Sequence, residues 1–476
     1  MTASRLTALE QALLWLIAAT CLAFALLTPP FQAPDEPQHF SRSVRLAEGN
    51  VLAERSGGRI GGTIPRAFAD LSIIAFPREA FGVPIRYRPA DLSRAAAPRP
   101  GKDRVFIEFA NVANYAPTLY VPQALGVAAG GAAGLSPLAS FYVARIVNTL
   151  AFLALLWGAV RILPFGRTIL LCIAALPTVA YQGASVSPDA TINGLGWLAI
   201  ALSLAAGNAA APALRRGWLV AVAVPLGLSK GLYAPLLLAG ARGRAMPWCV
   251  AGTVVSAAAF VGWTMAAGGD QAVYVVESRT TGALVTTAPL SEQLRVVLGD
   301  PLRYLGVLGS SMTERSPVYA LQLVGRFGWN TILLPLFTYA LGAAMIAAGV
   351  LAARGVPRAV GQRTWWFVLG VGVVVLVETA LYLTGTPLGA DYVQGTQGRY
   401  FLPALPLMLL ALAPGVPKRW AERVLLTSAC MLNLVAVAAV VDSFWLHGFT
   451  ASRGLPPFDH DAGGIVRMLL LPSPRW

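Results

Sequence analysis

"NYAPTLYVPQALGVAAGGAAGLSPLASF", residues 114–141, governs how the rest of the chain is read. It is apolar enough to suggest a membrane crossing, yet Pro117, Pro122, Pro137 and a scatter of glycines interrupt it. Proline removes a backbone donor and breaks a helix interior, so the stretch reads as an interfacial or partly inserted helix rather than a full span. Counting it as a crossing would reverse the sidedness of every later segment.

Charge tests that reading. A span needs about 20 apolar residues to cross a ~30 Å hydrocarbon core, and shorter or broken pieces survive inside a bundle. On that basis the spans are 9–29, 137–160, 168–183, 190–208, 217–229, 231–241, 247–267, 331–352, 364–385, 400–415 and 424–443, about eleven within a range of ten to thirteen. Arg5, Arg161 with Arg167, Arg215 with Arg216, Arg242 with Arg244, Arg354 with Arg358 and Arg363, and Lys418 with Arg419 and Arg423 then all fall on one side. Such a bias marks the cytoplasmic face. The N-terminus is expected there, and the tail 444–476 outside. Of the 22 acidic residues, Glu10 and Glu422 share the basic side and Glu378 lies within a span, while nearly all the rest map to external segments.

Composition agrees. With 56% hydrophobic residues, 12% charged and a mean hydropathy of +0.63, the chain lies well outside the soluble range. The expected fold is a single polytopic all-α integral membrane domain over 1–476 in a lipid bilayer, with a large first external loop (30–136) carrying interfacial helices and a second at 268–330. "SEQLRVVLGDPLRYLGVLGSS" in that second loop is similarly amphipathic. Net charge is +14, but the positive-inside pattern accounts for the basic residues, so no nucleic-acid partner is inferred. The four cysteines lie in apolar stretches without metal spacing and read as small core residues.

"FQAPDEPQHF", residues 31–40, follows the first span with Asp35, Glu36 and His39 between prolines. The prolines favour an extended or tight-turn segment at the external surface. A partly desolvated carboxylate held there has the chemistry of a general base toward an incoming hydroxyl, and an interfacial acidic turn is the plainer alternative. His39 reads first as a local hydrogen-bond partner. "ASVSPDATING" (184–194) sets Asp189 at the external start of a span, where Ser187 or Asp189 could equally cap the helix. Lys230, in "GLSKGLYAPLL", separates two short apolar pieces; it suits a phosphate ligand or a snorkelling side chain. "GTQGRYFLPALP" (395–406) brings Arg399 and Tyr400 to the mouth of a span. There Gly395 and Gly398 would allow close backbone approach and the arginine fork would match phosphate oxygens, although an interfacial Arg-Tyr anchor looks alike. Arg145 lies two turns into the second span, where a bundle-interior partner is expected; Glu378 is one candidate, although a structural or proton-shielded role is preferred for it. Phosphate loops, dinucleotide fingerprints and nucleophile elbows are absent from the sequence. His39, His447 and His460 are widely separated, which leaves an external Asp/Glu/His site for a divalent metal ion open.

Asp35-Glu36, "NYAPTLYVPQALG", "SVSPDA", "SKGLYAPLL", "GRFGWNTILLPLF" and "QGRYFLPALP", in this order over nearly the whole chain, resemble the bacterial polytopic family known as domain of unknown function 2142. That family is similar in layout to the GT-C glycosyltransferases. In those enzymes polyprenyl-phosphate sugar is the donor; the resemblance itself implies neither donor nor acceptor for this family, and the expected reaction moves a sugar from a polyprenyl-phosphate carrier to an envelope glycan, lipid or polymer acceptor at the external face of the bacterial inner membrane. The resemblance does imply Asp35 as catalytic base with Glu36 as neighbour or substitute, Lys230 and Arg399 as donor-phosphate ligands, and Tyr115 and Tyr120 as site lining. A lipid-linked sugar flippase or a non-catalytic envelope-assembly protein is the alternative, although no repeated halves are visible in the chain.

Overall fold

Thr7 opens the first helix, α1 (Ala8–Leu27), with a capping box. Its hydroxyl accepts the Glu10 N–H at 3.2 Å, and the Glu10 carboxylate accepts the Thr7 N–H at 2.8 Å. The exchange satisfies donors that a helix start otherwise leaves unpaired. The computed structural model describes residues 5–75, 86–99, 101–207, 213–268, 275–277 and 284–447. The tail from 448, with His460, parts of both long loops, and the side chains of Arg215 and Arg216 lie outside the described residues.

After α1 the backbone turns through Phe31 and Asp35, both left-handed at φ 64° and 58°, into α2 (Glu36–Ala47). Glu36 therefore starts a helix, where an extended or turn conformation was expected. Beyond α2 come β1 (Glu54–Ser56), β2 (Arg59–Pro65), α3 (Arg66–Ala75), α4 (Pro89–Ala96) and β3 (Arg104–Glu108). The strands form one antiparallel sheet in the order β1-β2-β3, registered from Gly61↔Glu108 to Pro65↔Arg104. An all-α fold is thus corrected in detail: the chain is mostly helical but carries small sheets. Gly61 sits so tightly against β3 that a Cβ would stand 2.0 Å from the Ile107 carbonyl oxygen. Phe31, Phe40, Val44, Ile64 and Phe68 pack with Phe141 and Val186 into a second apolar cluster, which joins the first loop to the bundle.

The 114–141 stretch is broken into short pieces rather than one long helix. A 3-10 turn (Pro117–Tyr120) leads into α5 (Val121–Ala132), and α6 (Pro137–Ile162) follows. With 12 residues α5 is too short to cross. It doubles back on α6, where a Cβ on Gly126 would stand 2.5 Å from Ala144 Cα. Next come α7 (Arg167–Ala174), α8 (Pro177–Gly183), α9 (Asp189–Ala206), α10 (Ala213–Ser229), a 3-10 run (Gly231–Leu238) and α11 (Met246–Ala266). A short hairpin, β4 (Val275–Glu277) with β5 (Leu284–Thr286), precedes α12 (Leu290–Gly299) and α13 (Pro301–Val324). The hairpin β6 (Arg326–Phe327) with β7 (Ile332–Leu333) precedes α14 (Leu336–Leu351), α15 (Val360–Gly385), α16 (Leu405–Leu412) and α17 (Arg419–Val441).

Among the described residues, six helical stretches are long and apolar enough to cross a membrane: α1, α6, α9, Gly243–Ala266, α15 and Arg419–Leu446. Two shorter apolar helices are Gly217–Ser229 and Leu336–Leu351. Segments 168–183, 231–241 and 400–415 are not continuous helices. Pro177 divides α7 from α8, Pro235 lies within a 3-10 run, and a 3-10 turn at Gly398–Phe401 precedes α16. α9 is the most enclosed of the long helices, with 89% of its apolar window buried. Trp15, Leu150, Trp157, Val254, Met265 and Leu434 point outward, as expected of lipid-facing side chains.

The basic loops meet at one end of the bundle. Gly166 N–H donates to the Arg354 carbonyl at 3.0 Å, and Lys418 N–H to Leu351 at 2.9 Å. Arg242 donates to the Gly207 carbonyl at 3.0 Å and to Gln362 Oε1 at 2.9 Å, and Arg354 pairs with Glu422.

Candidate functional site

Four broken segments build the other end. The first is the α1–α2 turn. Arg145, fully buried on α6, donates its Nη1 to the Thr28 carbonyl at 2.5 Å and its Nη2 to Pro29 at 3.1 Å, so it caps the carbonyl groups that the end of α1 leaves unpaired. Its Nε and Nη2 donate to Glu36 at 2.9 and 2.8 Å, and Glu36 Oε1 also accepts the Val186 N–H at 2.8 Å. Both side chains have zero exposure. Two expectations are thereby corrected. Arg145 pairs with Glu36 rather than Glu378, whose Oε2 instead accepts the Thr396 hydroxyl at 2.9 Å. Neither Arg145 nor Glu36 is placed to touch a substrate, since both are sealed inside a structural ion pair.

With Glu36 pinned, the left-handed residue before it turns Asp35 the opposite way. Asp35 is half-buried, and Asn111 Nδ2 donates to its Oδ1 at 3.1 Å. Burial raises the Asp35 pKa above the usual carboxylate value; the neighbouring Asp189 adds to the rise, and Arg399 and Lys230 oppose it. Asp189, first residue of α9, does not cap its helix. Its Oδ2 stands 3.4 Å from Arg399 Nε, an ion pair without hydrogen-bond geometry, with 13% and 15% of the two side chains exposed. Burial works against the Arg399 charge, but the carboxylates of Asp189 and Asp35 hold its pKa above the ordinary arginine value.

Lys230 occupies the extended break between α10 and the 3-10 run. Rings are its close partners among the described residues: Nζ lies 4.8 Å from the Tyr400 centroid and 5.3 Å from that of Tyr115. The Tyr233 hydroxyl donates to the Tyr400 carbonyl at 2.8 Å and ties the Lys230 break to the Arg399 turn. Tyr115 stacks on His39 with ring centroids 6.2 Å apart, and His39 Nδ1 shares a 2.9 Å hydrogen bond with the Tyr120 hydroxyl. Tyr120 is fully buried and stands behind His39, not in the cleft. Burial pushes the His39 pKa down to about 3, so the ring is neutral at physiological pH.

Asp35, Asp189, Lys230, Arg399, Tyr115 and Tyr400 thus form one cluster of partly exposed side chains, the candidate cleft, with His39 and Tyr120 behind it. Asn111 and Tyr233 were missed in the sequence. Each is a single polar residue in a short turn or break, and nothing but the three-dimensional contact marks it. Among the described residues, no three of His, Cys, Asp and Glu come together in a geometry suited to a metal. His447 pairs with Asp442 at 2.5 Å.

A bundle of long apolar helices with one cluster of charged side chains defines a multi-pass helical membrane protein with a partly exposed polar site at one end. The chain belongs to the family described as "Predicted membrane protein (DUF2142)", whose family model matches residues 19–408. That match takes in every residue of the cleft. No curated protein and no solved structure matches the chain.

Proposed function

We propose that the protein is a membrane glycosyltransferase of the GT-C type, with about eleven crossings, that moves a sugar from a polyprenyl-phosphate donor to an envelope glycan, lipid or polymer on the external face of the inner membrane. The observation that carries this reading is the meeting of Asp35, Lys230 and Arg399, far apart in sequence, in one cleft lined by tyrosines. In this mechanism the acceptor oxygen attacks the anomeric carbon while Asp35 takes its proton, and the bond from that carbon to the phosphate oxygen breaks. The phosphate leaves on the lipid with the electron pair. Burial favours the base by bringing its pKa closer to that of the proton it must take. Lys230 and Arg399 stabilise the charge that grows on the departing phosphate, in a site where water screens little. Asp189 lies against Arg399 Nε, and no ion pair joins Asp35 to that guanidinium among the described residues.

Asp35→Asn tests the assignment in cells and in nanodiscs. The enzyme reading expects envelope glycan modification to fall at least 100-fold, while titration with polyprenyl phosphate gives an unchanged Kd. Modification that persists in Asp35→Asn rules out the base assignment.

A further inference from the structure

Arg399 also lines a second cavity, whose other residues the proposed chemistry does not use. Pro34 forms its near wall, and Gln182, Gln322, Arg326, Asn330, Gln397 and Arg399 contribute polar groups. Three amide oxygens there are already occupied. Gln322 Oε1 accepts the Gly398 N–H at 2.7 Å, which fixes the orientation of that amide; Gln182 Oε1 accepts Asn193 Nδ2 at 2.9 Å, and Gln397 Oε1 faces Asn330 Nδ2 at 3.4 Å. What remains is a set of donors. Gln182, 5% exposed, has a buried Nε2 with no partner, whereas Arg399 Nε, although it makes no hydrogen bond, already faces Asp189 Oδ2 at 3.4 Å. Arg326 binds the Asn330 carbonyl through Nε, and no carboxylate lines the cavity. A buried donor without an acceptor is costly, so such a wall is more stable against an oxygen ligand than against an empty space.

The cavity holds about 20 Å³, against roughly 10–15 Å³ for one water by the same measure. That is room for one or two oxygen-sized atoms, so the terminal oxygens of a charged group enter it and a whole sugar does not. We infer that this cavity binds an oxyanion, a carboxylate or a phosphoryl group, carried by the sugar or the acceptor, with Arg326 as its cation and the amides of Gln182, Gln322 and Gln397 as its donors. The inference rests on the cleft being a substrate site and adds the class of substrate: an acidic glycan or a lipid-linked diphosphate. An arginine fork with convergent amide donors recognises oxyanion geometry, whereas a neutral hydroxyl would leave the guanidinium uncompensated.

Binding is measured without turnover, so its result is separate from that of the transferase assay. The full chain in nanodiscs is titrated with glucuronate, with pyrophosphate and with neutral glucose, following thermal stability. Saturable stabilisation by glucuronate or pyrophosphate but not glucose is expected, and the better of the two names the source of the oxyanion. Gln397→Glu, which sets a carboxylate against the ligand at nearly constant volume, should weaken that binding at least tenfold, and Arg326→Lys should weaken it less than Arg326→Gln. If Arg326→Gln does not fold, Gln397→Glu alone decides. Equal response to glucose, no response to either oxyanion, or unchanged affinity in a folded Gln397→Glu means that the cavity holds structural water only and overturns the proposal.

Discussion

Replacing Glu36 by Gln would leave the Arg145 guanidinium buried beside a neutral amide, and breaking one side of a buried pair costs about 3–5 kcal/mol. Asp35 is the opposite case. Its ionised form is disfavoured in the fold, so its contribution is favourable below the unfolded carboxylate pKa and is lost as pH rises through the raised folded value. Asp35→Asn should therefore raise the melting temperature at pH 8, with the gain shrinking on acidification, whereas Glu36→Gln should lower it across the range. Asn also tolerates the left-handed backbone at this position. Thermal unfolding of both variants in nanodiscs checks the contrast; a destabilised Asp35→Asn at high pH would place Asp35 with Glu36 as a structural acid. His39 carries a second pH signature of opposite sign. Its folded pKa is depressed, so its stabilising effect is present above the unfolded value near 6.5 and is lost as pH falls below it toward 3. The advantage of wild type over His39→Gln should decline by up to about 1.4 kcal/mol per pH unit between pH 6 and 4.5. A flat difference would mean that His39 is accessible to water and titrates normally. The acid pair was legible in the sequence as a unit of chemistry, but the division of labour within it was not. It depends on Arg145, 109 residues away from Glu36, and no local pattern encodes that partner.

The site is built from interruptions in elements. Lys230 lies where α10 gives way to a 3-10 run, Arg399 in a 3-10 turn before α16, Asp189 at a helix start and Asp35 at another. Such breaks expose backbone and side chains to a cavity where an unbroken helix would present an apolar face. The prolines and glycines around them are visible in the sequence, which is why the four residues could be picked out before their meeting was seen. The same signals do not separate two kinds of glycine. Gly395 has φ 81° with open space around it, a turn residue, whereas a Cβ on Gly398 would stand 2.3 Å from the Tyr319 carbonyl oxygen. Gly395→Ala should cost about 1–2 kcal/mol for the left-handed backbone and leave the cleft intact. Gly398→Ala has to push the Arg399 turn off α13, costing about 1–3 kcal/mol and weakening polyprenyl-phosphate binding. Paired unfolding and ligand titrations decide the matter, and equal binding losses in the two variants would show that the Arg399 turn is not set by this contact.

Across the whole molecule, two ends differ in chemistry. One gathers the loops bearing Arg167, Arg242, Arg354, Arg358 and Lys418 and links them by backbone and side-chain bonds; the other holds Asp35, Asn111, Asp189 and the small sheet of the first loop. The charge asymmetry was legible because it is a one-dimensional property of short loops. Strands β1 to β3 were not, because "RIGGTIP" and "RVFIE" are too short and too far apart to reveal their pairing. Our orientation puts the basic end in the cytoplasm and the cleft outside, and α5 is the element on which that parity turns: were it a crossing, the basic loops after it would leave the side of Arg5. Single cysteines test this directly. In a Cys430→Ser background, where the other native cysteines are buried, Lys102→Cys and Ala359→Cys offer exposed positions at opposite ends. A membrane-impermeant maleimide applied to cells with a permeabilised outer envelope should label position 102 and spare 359 until the inner membrane is opened. Labelling of 359 alone would invert the protein and set the cleft in the cytoplasm, where the donor would have to be a nucleotide sugar rather than an externally presented lipid-linked one. Labelling of both would make 114–141 a crossing after all.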